Sequence, residues 1–192
     1  MKNLFKIITI LLLLTTIFSC SKDESKPTIY PEENPMQGIL TKTGFNQVSP
    51  HLDYPSTEFG FSFKPSVKGK INAFVVKIPS SNSNIRATLW DVATKTVIRT
   101  EVIEVTNANS STTKTIIPIE LTINKEYLLS INTNQYYDYF EINDAVANYP
   151  LAINNIVITN CSFLETSNQT FPTNNLDTEI FGDISFNFQR TE

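Results

Sequence analysis

The sequence has little of what cross-links a chain or holds a cofactor. It has two cysteines, Cys20 and Cys161, which are too few for a disulfide framework. It has five glycines and no glycine-rich phosphate-binding motif, and His51 is its only histidine. After residue 18, no apolar run approaches the roughly 20 residues of a membrane-spanning helix. The stability of the chain must therefore come from a packed core, and a metal centre built from several histidines is excluded.

Basic residues are scattered along the chain rather than clustered. Lys2 and Lys6 lie in the first 19 residues, so the rest of the chain has 13 lysines and arginines and 19 aspartates and glutamates. Proteins that bind nucleic acids need a basic patch to contact the phosphate backbone. We therefore expect no nucleic-acid partner.

The first 19 residues predict a signal peptide. Lys2 and Lys6 give it a charged start, and residues 7–18 are apolar apart from threonines. Twelve helical residues rise only about 18 Å, whereas the hydrocarbon core of a bilayer is roughly 30 Å thick. We therefore expect a cleaved export signal rather than a permanent transmembrane helix.

The residues Ile17, Phe18, Ser19 and Cys20 resemble the lipobox of bacterial lipoproteins, although Phe18 replaces the usual small or polar residue. The resemblance implies a diacylglycerol thioether on Cys20 and an acylated amine. Two or more acyl chains anchor a protein stably to a membrane, whereas a single chain binds only weakly. Residues 21–24 resemble the signal that sends Bacteroidetes-type lipoproteins to the outer leaflet of the outer membrane. This implies an outer-membrane lipoprotein displayed at the cell surface. An ordinary signal peptide cleaved near Ser19 and a periplasmic location are the alternatives.

The remaining chain divides into two parts by composition. Residues 20–44 are rich in Lys, Glu, Pro, Ser and Asn without a period, which predicts a lipidated, flexible tether. Residues 45–192 alternate short β-branched and aromatic runs with turn residues, which predicts a single all-β domain. We expect a β-sandwich of about eight to nine antiparallel strands, with at most one helical turn at residues 144–149. The nine candidate strands are residues 59–63, 71–78, 85–90, 97–105, 113–121, 126–132, 137–142, 153–159 and 180–188.

Residues 59–71 join an aromatic strand, a Pro-Ser-Val turn, a glycine and a hydrophobic strand, and residues 87–91 end in Leu-Trp-Asp. Residues 123–131, 171–174 and 181–186 continue the series. This ordered series of motifs is similar to a bacterial β-sandwich family that is known only as a domain of unknown function and occurs in extracellular and carbohydrate-active proteins. The resemblance implies a jelly-roll-like sandwich akin to carbohydrate-binding modules, with no established ligand or catalytic residues.

One short segment combines the side chains that sugar binding requires. The faces of tyrosine rings stack on the C–H surfaces of sugars, and amides and carboxylates bind hydroxyl groups. Strand alternation predicts one face with Tyr137 and Tyr139 and another with Tyr136 and Asp138. The alternative is that one tyrosine face belongs to the core and the rest line a turn. The candidate ligand-binding residues are Asn134, Tyr136, Tyr137, Asp138 and Tyr139.

No motif of a known enzyme class is present, so we predict no catalytic residue. A glycosidase needs two carboxylates roughly 5–9.5 Å apart, and the pairs Glu126 with Glu141 and Asp138 with Asp183 remain open. We expect Trp90 to be buried in its strand rather than free to stack on a sugar. We expect Cys161 to be a small buried hydrophobe.

We predict no cofactor and no metal ligands, although a structural calcium ion remains open. Jelly rolls often hold calcium with carboxylates and carbonyl groups, and Asp91 and Asp183 are loose candidates. The sequence lacks the regular aspartate spacing of a calcium-binding loop.

These observations together predict a surface-anchored, non-enzymatic binding lipoprotein that recognises glycan or a cell-surface polymer. The alternative is a structural or accessory subunit of an outer-membrane protein assembly, which would bind a protein through an exposed strand edge.

Overall fold

The computed structural model describes residues 28–43, 45, 47–140, 147–176 and 178–192. The predicted signal peptide and Cys20 lie outside these residues. The described residues form one helix, α1 (Pro35–Thr43), and thirteen strands. The strands are β1 (Glu32–Glu33), β2 (Gln47–His51), β3 (Thr57–Pro65), β4 (Gly69–Val76), β5 (Asn82–Asp91), β6 (Thr96–Val105), β7 (Thr112–Leu121), β8 (Tyr127–Thr133), β9 (Tyr136–Phe140), β10 (Leu151–Ile153), β11 (Ile156–Glu165), β12 (Asn174–Leu176) and β13 (Ile184–Arg190).

The strands form two main sheets and a separate ribbon, and every pairing is antiparallel. The smaller sheet has the order β1-β13-β4-β7. The larger sheet has the order β10-β11-β3-β8-β5-β6, with β12 also paired to β11, and β2 pairs with β9. The all-β prediction is confirmed. Four of the thirteen strands, β1, β2, β10 and β12, are not among the nine candidates. β1, β10 and β12 are too short to show alternation, and the β2 sequence Gln-Val-Ser-Pro-His is mostly polar.

The strand order of the two sheets is that of a jelly roll. The eight strands β1, β3–β8 and β13 can be counted first to eighth along the chain. The smaller sheet then runs first-eighth-third-sixth, and the central part of the larger sheet runs second-seventh-fourth-fifth. Strands β9–β12 are inserted between the seventh and eighth strands. As shown below, β9 and the ends of β11 and β12 supply much of the candidate site.

Aromatic side chains from the two sheets meet in the core. Phe61 and Phe63 on β3 lie with ring centroids 6.1 and 4.5 Å from that of Phe186 on β13. All three side chains are fully buried. Full burial of such a side chain contributes about 1.5–3 kcal/mol. The apolar face of β3, which the sequence alternation predicts, therefore packs on β13 and holds the two sheets together.

The strand that was predicted to be central, residues 71–78, is β4, and it lies between β13 and β7. Both of its backbone edges are paired, which agrees with its apolar residues on both faces. The neighbouring β7 is an edge strand, and Pro118 falls in its register irregularity against β4. Proline has no N–H to donate, so an edge or a bulge is where a strand tolerates it.

The prediction of a flexible tether is wrong for Glu32–Thr43. β1 pairs with β13, and α1 buries Met36 and Ile39 in the hydrophobic core. Asn34 caps α1, because its side-chain oxygen accepts a hydrogen bond from the backbone N–H of Gln37 at 3.0 Å. Pro35 is the first helical residue, where the missing N–H costs nothing. The segment was misassigned because nine residues are too few to show a helical period.

Three further boundaries differ from expectation. The predicted strand 153–159 overlaps β11 but begins too early and ends too soon, since residues 151–165 form β10 and β11 around a turn in which Asn154 has a φ of 48°. Asparagine tolerates this left-handed conformation. Of the predicted helical turn, residues 147–149 are not helical and residues 144–146 lie outside the described residues. β9 ends at Phe140, and residues 141–142 also lie outside.

Residues 166–173 cross the outer face of the larger sheet. Asn132 donates a hydrogen bond to the Thr166 carbonyl at 2.8 Å, and Gln169 donates to Thr88 at 3.1 Å. Phe171 contacts Trp90 edge-to-face at 5.8 Å. Trp90 is buried, as expected, and is therefore not available for stacking on a sugar. Among the described residues, no helix has the length and apolarity needed to cross a bilayer.

Candidate functional site

Two cavities lie on opposite faces of β9. The first, here called the tyrosine groove, has a volume of about 360 Å³. The second, the α1 cavity, has a volume of about 240 Å³ and is lined by α1 and the start of β13, among other elements. The tyrosine groove is lined by His51, Tyr54, Thr57, Phe59, Tyr136, Asp138, Phe163, Glu165, Leu176, Glu179 and Phe181.

The β2–β9 ribbon positions one wall of the tyrosine groove. Its antiparallel register places His51 opposite Tyr136 and Ser49 opposite Asp138. The His51 ring stacks on Tyr136, with centroids 4.8 Å apart and planes 8° from parallel. Tyr54 meets Tyr136 edge-to-face at 5.3 Å and is 49% exposed. The wall therefore presents an aromatic stack with one accessible ring at its edge.

Tyr136 joins this wall to the hydrophobic core. It is 8% exposed, and its ring centroid lies 4.6 Å from that of Phe59 on β3. Phe59 in turn packs edge-to-face on Phe181 at 4.9 Å. Burial raises the pKa of Tyr136, with a further contribution from the Asp138 charge. Its hydroxyl therefore remains a neutral hydrogen-bond donor.

Three carboxylates line the same groove. Asp138 accepts a hydrogen bond from His51, with Oδ2 2.5 Å from Nε2. Glu165 ends β11, and Glu179 lies in the connection between β12 and β13. Burial raises the pKa of Glu179, and the neighbouring Asp138 charge adds to this effect. None of the described residues that line the groove is a lysine or an arginine. The groove is thus aromatic and acidic.

The other candidate tyrosines face away from this groove. Tyr137 and Tyr139 lie on the opposite face of β9, as strand alternation requires, with centroids 6.1 Å apart. The backbone N–H of Tyr137 donates to the buried Asp183 carboxylate. Asn134 lines neither cavity; its carbonyl accepts a hydrogen bond from the Tyr54 N–H at 2.8 Å. Of the five predicted residues, Tyr136 and Asp138 therefore meet in the tyrosine groove.

Several groove residues were not singled out as ligand-binding from the sequence. His51 and Tyr54 lie in a short polar and aromatic segment, and that composition was the only local signal for them. Phe163 and Glu165 carry no local signal, because the pairing of β11 with the distant β3 brings them to the groove. Glu179 carries none either, since it reaches the groove from the connection between β12 and β13. Their selection requires the three-dimensional structure.

Of the two candidate carboxylate pairs, the structure describes both members only of Asp138 with Asp183. These two residues line different cavities, Asp138 the tyrosine groove and Asp183 the α1 cavity. Glu141 lies outside the described residues. Asp91 pairs with Lys125 at 2.7 Å. Within the described ranges, no group of three or more His, Cys, Asp or Glu residues is arranged to hold a metal ion.

The fold and the site define a jelly-roll β-sandwich with an aromatic, carboxylate-lined groove. A family model described as Domain of unknown function (DUF4082) matches residues 44–181, and the chain belongs to this family. The match spans every residue that lines the tyrosine groove. No curated protein matches the chain.

Proposed function

We infer that this protein is a surface-anchored, non-enzymatic lipoprotein that binds a glycan in the tyrosine groove. The observation that carries the proposal is the juxtaposition of an exposed tyrosine, a stacked histidine and tyrosine pair, and three carboxylates in one cavity. Aromatic faces and hydrogen-bond acceptors are the two features by which a protein holds a sugar ring.

The size of the groove fits a short oligosaccharide. Pockets for small ligands measure roughly 300–1,000 Å³, and the tyrosine groove measures about 360 Å³. Tyr54 stands at its edge with half of its surface exposed, so its ring face is available for stacking. Asp138, Glu165 and Glu179 supply acceptors for hydroxyl groups, and the Tyr136 hydroxyl supplies a donor.

The charge of the groove selects among glycans. Three carboxylates and no lysine or arginine among its described lining residues disfavour uronates, sialosides and sulfated sugars, because like charges in a partly buried site repel each other. We therefore expect neutral glycans to bind in preference to anionic ones.

The anchor is proposed to be the lipidated Cys20 in the outer membrane, with the domain on the cell surface. Because β1 begins at Glu32, residues 21–31 are the part of the chain left for a tether. A fully extended chain spans at most about 3.5 Å per residue, so β1 lies within roughly 40 Å of the acylated cysteine. This distance keeps the domain close to the surface polymers of the cell.

A glycan array probed with the purified protein tests the binding proposal. Tyr136, Tyr137 and Tyr139 are each at least nine-tenths buried, so alanine at these positions would disturb the core. Tyr54→Ala and Asp138→Asn are the informative variants. Each should weaken binding by about tenfold, because each removes one stacking or charge-assisted contact.

Matched controls lie outside the groove. Tyr30→Ala removes a tyrosine that contacts Arg190, and Glu104→Gln neutralises an exposed carboxylate on β6. Both controls should bind like the unmodified protein. No glycan binding by the unmodified protein, or equal binding by all four variants, would reject the groove as a glycan site. Mass analysis of the bound oligosaccharide after incubation should show an intact chain, and cleavage products would show an enzyme instead.

The second candidate function, an accessory subunit of an outer-membrane protein assembly, has one observation in its favour. β6 is an edge strand of the larger sheet, and it exposes Val97, Ile98 and Val102. Exposed apolar edge strands can add a strand from another chain. Val102→Lys should abolish co-purification of a membrane protein if this function holds, and it should leave glycan binding unchanged.

A further inference from the structure

The α1 cavity has an aliphatic wall and is separate from the tyrosine groove. α1 contributes Met36 and Leu40 to its lining, and β2 and β4 contribute Val48 and Val75. Its volume of about 240 Å³ is below the roughly 300–1,000 Å³ of pockets for drug-sized ligands. The cavity can therefore hold only a small molecule, and this wall favours an apolar part.

A lysine lies at the polar end of the cavity. The backbone N–H of Lys77 donates to the Asp183 carbonyl at 2.9 Å, and its Nζ lies 5.7 Å from the centroid of the Tyr137 ring. In the part of the chain that the structure describes, Lys77 forms no ion pair with a carboxylate. Its charge nevertheless interacts with the nearby Asp183 carboxyl group. An ammonium group that forms no close ion pair beside a cavity can bind an anion.

Tyr139 supplies a second donor. The residue is 8% exposed, and its ring lies so close to Gly182 that a Cβ there would be 2.8 Å from Cε2 and Cζ. This contact fixes the position of the ring. The Tyr139 hydroxyl has no hydrogen-bond partner among the described residues, yet it is not sealed from solvent. The hydroxyl is therefore free to donate a hydrogen bond to a ligand that replaces water in the cavity.

Asp183 lies beside these two groups. It is 2% exposed, and both of its carboxylate oxygens lie 3.2 Å from the backbone nitrogen of Tyr137. Burial raises the pKa of Asp183 well above its usual range. This shift favours the neutral carboxyl form, which can donate a hydrogen bond. The polar end of the cavity thus brings together an ammonium group, a hydroxyl group and a carboxyl group whose neutral form is favoured.

We propose that the α1 cavity is a second binding site that takes a small monocarboxylate, whose carboxylate is held by Lys77 and Tyr139 and whose short tail lies on the aliphatic wall. This proposal does not depend on glycan binding, because the two cavities lie on opposite faces of β9 and have no lining residue in common.

Sodium butyrate is the probe, and butylammonium chloride is its control with the same tail and the opposite charge. Ligand-observed NMR titration of the purified protein should give saturable butyrate binding with a Kd on the order of millimolar for a ligand of this size. Butylammonium should not bind. Lys77→Met and Tyr139→Phe keep most of each side chain and remove the interacting group. Each should weaken butyrate binding by about tenfold, as expected for the loss of a hydrogen bond to a charged group.

Thermal unfolding without ligand checks that both variants are folded, and Tyr139→Phe retains the ring packing on Gly182 if Lys77→Met does not fold. The groove variant Tyr54→Ala should bind butyrate like the unmodified protein. The proposal is overturned if the unmodified protein does not bind butyrate, if butylammonium binds equally well, or if the folded variants bind butyrate with unchanged affinity.

Discussion

The buried carboxylate of Glu58 depends on one arginine. Glu58 lies on the outer face of the larger sheet, beneath residues 166–173, and is 0% exposed. Its Oε1 accepts a hydrogen bond from Arg86 at 2.5 Å, and its Oε2 accepts one from Ser130 at 3.0 Å. Ser130 in turn accepts a hydrogen bond from the Trp90 indole N–H at 2.9 Å. Burial raises the pKa of Glu58, and Arg86 counteracts this effect.

Arg86→Met should therefore leave the buried Glu58 carboxylate without its cationic partner. Removal of one partner from a buried ion pair costs about 3–5 kcal/mol. Because the Arg86 side chain is 24% exposed, the lower end of that range, about 3 kcal/mol at pH 7, is expected. The free energy of unfolding from urea titration measures the loss. As a control, Arg99→Met on β6 breaks the looser pair with Glu101 and should cost only about 0–1 kcal/mol.

The pH dependence identifies the cause of this loss. A carboxyl group whose folded-state pKa lies above its unfolded-state pKa favours the folded state while it is protonated, and this stabilisation is lost as the pH rises. Without Arg86 the pKa of Glu58 rises further, so the deficit should be small near pH 5 and grow towards pH 8. Adding Glu58→Gln to Arg86→Met should recover part of the stability at pH 7. A deficit that is below about 1 kcal/mol and constant across this range, or a double variant that recovers no stability, would show that Glu58 does not depend on Arg86.

Two further predictions concern the amino-terminal region. Met36→Ala should lower the free energy of unfolding, measured by urea titration, by about 2–5 kcal/mol, because Met36 is buried at 1% exposure. The control Gln37→Ala changes an exposed neighbour and should alter this free energy by less than about 0.5 kcal/mol. Equal effects of the two substitutions would show that α1 does not pack on the domain. Cys20→Ala should abolish metabolic labelling of the protein with fatty acid, because acylation requires the cysteine sulfur and the amine that cleavage exposes, and persistent labelling would contradict the lipoprotein proposal.

The central strands could be predicted from the sequence because their signal is local. Phe59, Phe61 and Phe63 show a period of two within five residues, and each lies on the buried face of β3. The apolar residues on both faces of β4 likewise predict its position inside a sheet. In both cases, the pattern of side chains within one strand is set by the environment of its faces.

α1 could not be predicted in the same way. Its burial depends on contacts with β13 and β10, which lie more than 100 residues further along the chain. Asn34 and Pro35 did carry a local signal, since an asparagine followed by a proline is a typical start of a helix. However, α1 has only nine residues and two fully buried side chains. In a segment rich in proline and polar residues, these are too few to show the spacing of an amphipathic helix.

The tyrosine groove shows which features of a site the local sequence determines and which it does not. The alternation of β9 is local, and it correctly groups Tyr136 with Asp138 and Tyr137 with Tyr139. The partners of Tyr136 and Asp138 depend on strand register. Glu165 reaches the groove because β11 pairs with β3 in a register that sets it opposite Thr57, a neighbour 108 positions earlier in the chain. Since a one-residue slip would turn every side chain of β11 to the other face of the sheet, the composition of a strand predicts which chemistry is present, and only its register determines which groups share a site.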